Sequence, residues 1–174
     1  MNDPERANRI AAVWRKRADR LSLRPVATGA GQNAFPVIVL GIGKERYCVW
    51  LSDVAEILPP VSVTPVPGAA GIFSGVINVH GEIRPVIDLR RLLSIEAAQN
   101  GDLPRVILLR KDGCELGLQI ESVEQIRSID PADLRPAVRD GVGSSQYIKG
   151  STKELLMLLS TERLFAELHT GVTP

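Results

Sequence analysis

The sequence predicts an all-β fold, built as small barrels or a sandwich. Three observations carry that expectation. From Phe35 onward the apolar residues recur at the strand period, in runs rich in Val, Ile and Leu. Turn signals interrupt those runs about every 8–12 residues, which gives about ten short strands rather than the β–α alternation of a parallel sheet. Aromatic residues are only 4% of the chain, so branched aliphatic side chains must fill the core, and these favour a pleated surface. Two barrels of five strands each fit a length of 174 residues.

Residues 1–34 stand apart as a basic amphipathic helix and linker. Asp3 before Pro4, with Glu5 in the first turn, reads as a helix start. Ile10, Val13, Trp14, Ala18 and Leu21 recur at three- and four-residue spacing and share one helical face. Residues 1–24 hold seven basic and three acidic side chains, a surplus of +4, which leaves −3 for the remainder of a chain whose net charge is +1. A helix over 3–22 follows, ended by Pro25, Gly29 and Gly31. Its apolar stripe can dock on the chain's own domain, enter a partner's groove, or lie on anionic lipid. The stripe is thin and holds one bulky aromatic, which argues against lipid, and an apolar stripe usually needs a protein surface to cover it.

The strands follow in order. Phe35–Ile42 is a β-branched run, and Gly43-Lys44-Glu45 turns it into Arg46–Leu51. Asp53–Leu58 follows and is broken by Pro59 and Pro60. Val61–Val66 alternates before Pro67-Gly68. Gly75–Val79 turns at His80-Gly81 into Glu82–Ile87, where Pro85 must sit at a position that needs no ladder bond. Asp88 caps a short helix over Leu89–Leu93. After a divide near residues 94–103, strands are expected over 104–109, 115–120 and 123–129. A capped turn at 130–136 and a Gly/Ser-rich stretch at 137–146 come next. Strands at 147–150 and 154–160 and a helix over 161–168 close the chain.

A search for chemistry finds little. Net charge near zero offers no footprint for nucleic acid. No apolar run reaches the roughly 20 residues that span a membrane, and the first residues lack the apolar core of a signal peptide. A cytoplasmic protein is expected. Thr28-Gly29-Ala30-Gly31 follows no strand and lacks a third glycine, so it is a linker rather than a dinucleotide loop. Gly71-Ile72-Phe73-Ser74-Gly75 is not a nucleophile elbow. The two histidines, His80 and His169, assemble no metal site, and no cofactor is implied. Cys48 and Cys114 read as two small buried hydrophobes. No nucleophile stands beside a base, so the chain reads as a binding module and not an enzyme.

One stretch carries a family resemblance. Val66–Leu89, which includes Gly75-Val76-Ile77-Asn78-Val79-His80-Gly81 and Pro85-Val86-Ile87-Asp88-Leu89, strongly resembles the CheW family of chemotaxis adaptors. Val54-Ala55-Glu56-Ile57, Gly117–Val123 and Tyr147-Ile148-Lys149-Gly150 are similar to further family patterns, so the likeness covers residues 35–168 in unbroken order. The resemblance implies two intertwined five-stranded β-barrels, with their boundary near 94–103. It also implies a non-catalytic scaffold that bridges a methyl-accepting chemoreceptor's cytoplasmic tip to the regulatory domain of a CheA-type histidine kinase. A receptor-binding groove would use Val54, Glu56, Gly75 and His80 from one barrel and Val123 and Ile126 from the other. Gly75 would let the receptor helix approach the backbone. Kinase binding would use Val66, Ile72 and Phe73. Taken singly, core packing explains each valine and isoleucine better than a binding role does, and a bulge or turn explains Gly75 as well as function does.

Two departures bear on this. His80 stands where the family has an arginine that pairs with the carboxylate matching Glu56, and Leu159-Ser160 replaces Val-Asp before the last helix, where Ser160 can still cap. They fit a divergent copy that serves a particular receptor or an auxiliary signalling pathway, and the alternative function is a regulator that competes for the kinase without bridging receptors.

Overall fold

The computed structural model describes residues 33–95, 105–137 and 143–170. The expected basic helix over 3–22 and most of its linker lie outside the described residues. So do residues 96–104 and the middle of the Gly/Ser-rich stretch.

Among the described residues, eleven strands form two mixed sheets. They are β1 (Phe35–Ile42), β2 (Glu45–Trp50), β3 (Val54–Leu58), β4 (Phe73–Val79), β5 (Glu82–Asp88), β6 (Arg105–Lys111), β7 (Cys114–Ile120), β8 (Ser122–Ile129), β9 (Arg135–Pro136), β10 (Ile148–Ser151) and β11 (Leu156–Leu159). The first sheet runs β8-β1-β2-β11-β10-β9 and the second β3-β6-β7-β5-β4. The pairs β2–β11 and β5–β7 are parallel, and the others are antiparallel. The first sheet therefore has six strands where five were expected, because the short β9 adds to β10.

The expected divide at 94–103 does not separate the sheets. β6 and β7, which follow it, pair with β3 and β5 before it, while β1 and β2 pair with β8 and β11. Each sheet is completed by strands from both halves of the chain, so the two sheets are interleaved.

Three apolar clusters show why the central strands are buried on both faces. Ile38, Leu40 and Ile42 of β1 meet Ile107, Leu109, Leu116 and Leu118 in a core between the sheets. The alternate residues Val37 and Val39 turn to a second cluster with Cys48, Leu156 and Leu158. Val106 and Leu108 of β6 face a third, with Ile77, Val79 and Val86. The period of two thus divides each continuous apolar run between two cores. The helix α1 (Leu89–Leu93) is capped by Asp88, whose carboxylate accepts from the amides of Arg90 at 2.9 Å and Arg91 at 3.3 Å. The helix α2 (Thr161–Thr170) buries Leu164 and Phe165 in the inter-sheet core. Ser160 opens it through its carbonyl, which accepts from Arg163 and Leu164.

Polar contacts tie the second sheet together. Glu115 accepts from Arg110 Nε at 2.8 Å and Arg84 Nε at 2.7 Å, and the two guanidinium hydrogen bonds hold its carboxyl below the usual range. Cys48 is buried as expected, and burial pushes its thiol up to about 12. Cys114 differs from the expectation. It is exposed, because it starts β7 beside the Asp112-Gly113 turn, where the hairpin end reaches solvent.

Candidate docking groove

β3 and β4 are opposite edges of the second sheet, yet the chain brings them together. Pro59 and Pro60 end β3, and the following segment crosses back to β4. There Thr64 and Val76 exchange two backbone hydrogen bonds, at 2.9 and 2.8 Å. This bridge closes the sheet into a barrel over Ile77, Val79, Val86, Val106 and Leu108, with Val61 and Val63 packed against that cluster. Because Val76 spends its N–H and C=O on Thr64, its partner Pro85 occupies a rung that needs no donor, as expected.

Gly75 is what allows the crossing. It is buried, sits at an irregularity in the β4–β5 register, and has φ of +144°. A Cβ there would lie 2.0 Å from the Thr64 carbonyl oxygen. The close approach on the Cβ side of Gly75 is therefore made by the chain itself.

His80 and Gly81 form the two-residue turn between β4 and β5, with φ of 53° and 92°. Asn78 Oδ1 accepts from Gly81 N at 2.8 Å and holds the turn. The turn presents His80 to β3, and His80 Nε2 lies 2.9 Å from Glu56 Oε2. Their side chains are 78% and 40% exposed, so the pair adds little stability and instead marks the surface at the barrel's seam.

Val54 lies two residues before Glu56 on β3, half-buried against the inter-sheet core. Val123 and Ile126 lie on β8, the edge strand of the first sheet, and border the same core. The structure thus brings Glu56 and His80 into direct contact. It sets Val54, Val123 and Ile126 around one core from two different sheets, and puts Gly75 beneath Thr64.

Of the trio expected to meet the kinase, two are half-buried and one is exposed. Ile72 and Phe73 are half-buried on the inter-sheet core, and the Ile72 carbonyl accepts from Asp88 N at 2.9 Å. Val66 is 45% exposed on the connection before them.

Sequence reasoning missed a further apolar site. The Phe35 and Trp50 rings meet edge to face, with centroids 6.1 Å apart. With Pro36, Ser52 and Pro131 they line a cavity of about 310 Å³. The signal was present in two aromatics at the outer ends of paired strands in a chain that holds few aromatics. Among the described residues no group of three or more His, Cys, Asp or Glu is placed to hold a metal ion. No described helix is long and apolar enough to cross a membrane.

Two interleaved barrels with a marked seam and half-buried edge residues define a β-barrel docking module. The chain belongs to the CheW-like domain family, whose sequence profile matches residues 36–169. It is 26% identical over 152 residues to the chemotaxis protein CheW of Treponema pallidum, covering 82% of this chain and 89% of that protein. It is 28% identical over 128 residues to the protein FrzA of Myxococcus xanthus, covering 71% and 80%. The crystal structure of the scaffolding protein TtCheW from Thermoanaerobacter tengcongensis is similar, with a TM-score of 0.66 at 25% identity, covering 73% of this chain and 89% of that one.

Proposed function

We propose that this chain is a non-catalytic chemotaxis scaffold that couples the cytoplasmic tip of a methyl-accepting chemoreceptor to the regulatory domain of a CheA-type kinase. Family membership and the likeness to a scaffolding protein support the scaffold role. The observation that carries the receptor contact is the Glu56–His80 pair at the barrel seam, with Val54 two residues along the same strand. A helix hairpin needs an apolar trough and polar marks that fix its register. Val54, Val123 and Ile126 supply the trough, and Glu56 and His80 supply the marks. Gly75 contributes from beneath, by letting Thr64 lie across β4. The kinase domain meets the connection around Val66, with Ile72 and Phe73 behind it.

A second reading, a regulator that binds the kinase without bridging receptors, is favoured by His80 itself. An exposed imidazole is a shorter partner for Glu56 than a guanidinium and lacks its fork of donors. The test is a titration of a receptor-tip fragment against wild type, Glu56→Lys and His80→Glu. Both exposed substitutions should leave folding intact and weaken binding by about tenfold or more. Unchanged affinity in both would move the receptor contact elsewhere.

A further inference from the structure

We propose that residues 10–21 of the chain itself cover the cavity formed by Phe35, Pro36, Trp50, Ser52 and Pro131. The cavity is apolar on its aromatic side and leaves Phe35 54% exposed. A concave aromatic surface of this kind calls for an apolar partner.

The segment has the matching face. Ile10, Val13, Trp14, Ala18 and Leu21 fall on one side of a helix about 17 Å long from Ile10 to Leu21. It is also tethered at the right place. Residues 22–34 join Leu21 to Phe35, which is itself on the lip of the cavity. Thirteen residues reach at most roughly 45 Å when extended, enough to fold back, and the tether keeps the local concentration high.

Charge agrees. Residues 1–24 carry a surplus of +4, and Arg17 falls on the apolar face. Asp130 and Asp133 lie within two residues of Pro131 in the chain, and Asp53 follows Ser52, so acidic residues neighbour the cavity lining in sequence. The nearby cation Arg127 is engaged by Glu154 at 2.6 Å.

The test uses the full chain. Trp14 and Trp50 are its two tryptophans, so Trp14→Phe leaves Trp50 as the single reporter. In that background acrylamide should quench Trp50 weakly. Adding Ile10→Asp and Val13→Asp should raise quenching severalfold and shift emission to the red, while Lys16→Gln on the opposite face should change nothing. Equal quenching in all three overturns the proposal. Shielding that disappears on dilution also overturns it, because a second copy then supplies the segment. Disulfide trapping gives a readout without charged substitutions. With Cys114→Ser, either Val13→Cys or Trp14→Cys paired with Ser52→Cys should close an intrachain bond under mild oxidation. Interchain bonds alone, or none from either pair, overturn the proposal.

Discussion

Gly75, His80 and Glu115 each answer to a different constraint. Gly75 is fixed by a contact with Thr64, eleven residues earlier, that no local pattern announces. Its φ of +144° and the 2.0 Å approach of a Cβ to a backbone oxygen leave no room for a side chain. Gly75→Ala should therefore cost about 3 kcal/mol or more in a urea denaturation, through loss of the barrel closure rather than of any ligand contact. A change below about 1 kcal/mol would show that the crossing yields easily. His80 combines a left-handed backbone with a carboxylate partner. Its turn is legible from the His80-Gly81 pair, but its partnership with Glu56 is legible only through the family resemblance, since β3 and β4 are opposite edges of one sheet. Glu115 contributes to the acid response. Arg110 and Arg84 depress its carboxyl in the folded state, so its stabilisation is complete above the unfolded value of about 4.3 and is lost as pH falls through the lower folded value. Denaturation midpoints followed downward from pH 5 should drop less steeply for Glu115→Gln than for wild type.

At the scale of elements, what the sequence foretells well is whatever local chemistry decides. β1 spans Phe35–Ile42 as expected, because an unbroken β-branched run meets a Gly43 turn. α1 begins where Asp88 can cap it. Asp88→Ala should lower stability by about 1 kcal/mol and the thermal midpoint by about 2–4 °C, while Asp88→Asn, which keeps the cap, should cost much less. Equal losses would assign the effect to the Arg91 ion pair at 3.3 Å instead. Elements that depend on distant partners are less legible. Residues 61–66 alternate like a strand, but Pro65 and Pro67 deny them a ladder, and only Thr64 forms a bridge. β9 is two residues long and exists because β10 offers it an edge. The cavity at Phe35 and Trp50 arises where β1 and the Pro131 turn meet, so neither segment alone predicts it.

For the whole molecule, the all-β class was readable from period and composition, whereas the interleaving was readable only through the family resemblance. An antiparallel pattern of turns suggests sequential halves, but the parallel pairs β2–β11 and β5–β7 join strands far apart in the chain. The largest apolar core lies between the sheets, so neither sheet is complete in packing without the other. A shared core of this kind suits a scaffold, which must present its docking surfaces together. Bridging follows from the proposed scaffold role and can be observed in solution. The full chain is mixed with the regulatory domain of its CheA-type kinase and a receptor-tip fragment, and the complexes are sized by light scattering after chromatography. The account predicts a single species that contains all three. Receptor fragment and kinase domain displacing one another from the chain, or neither one binding it, would contradict it.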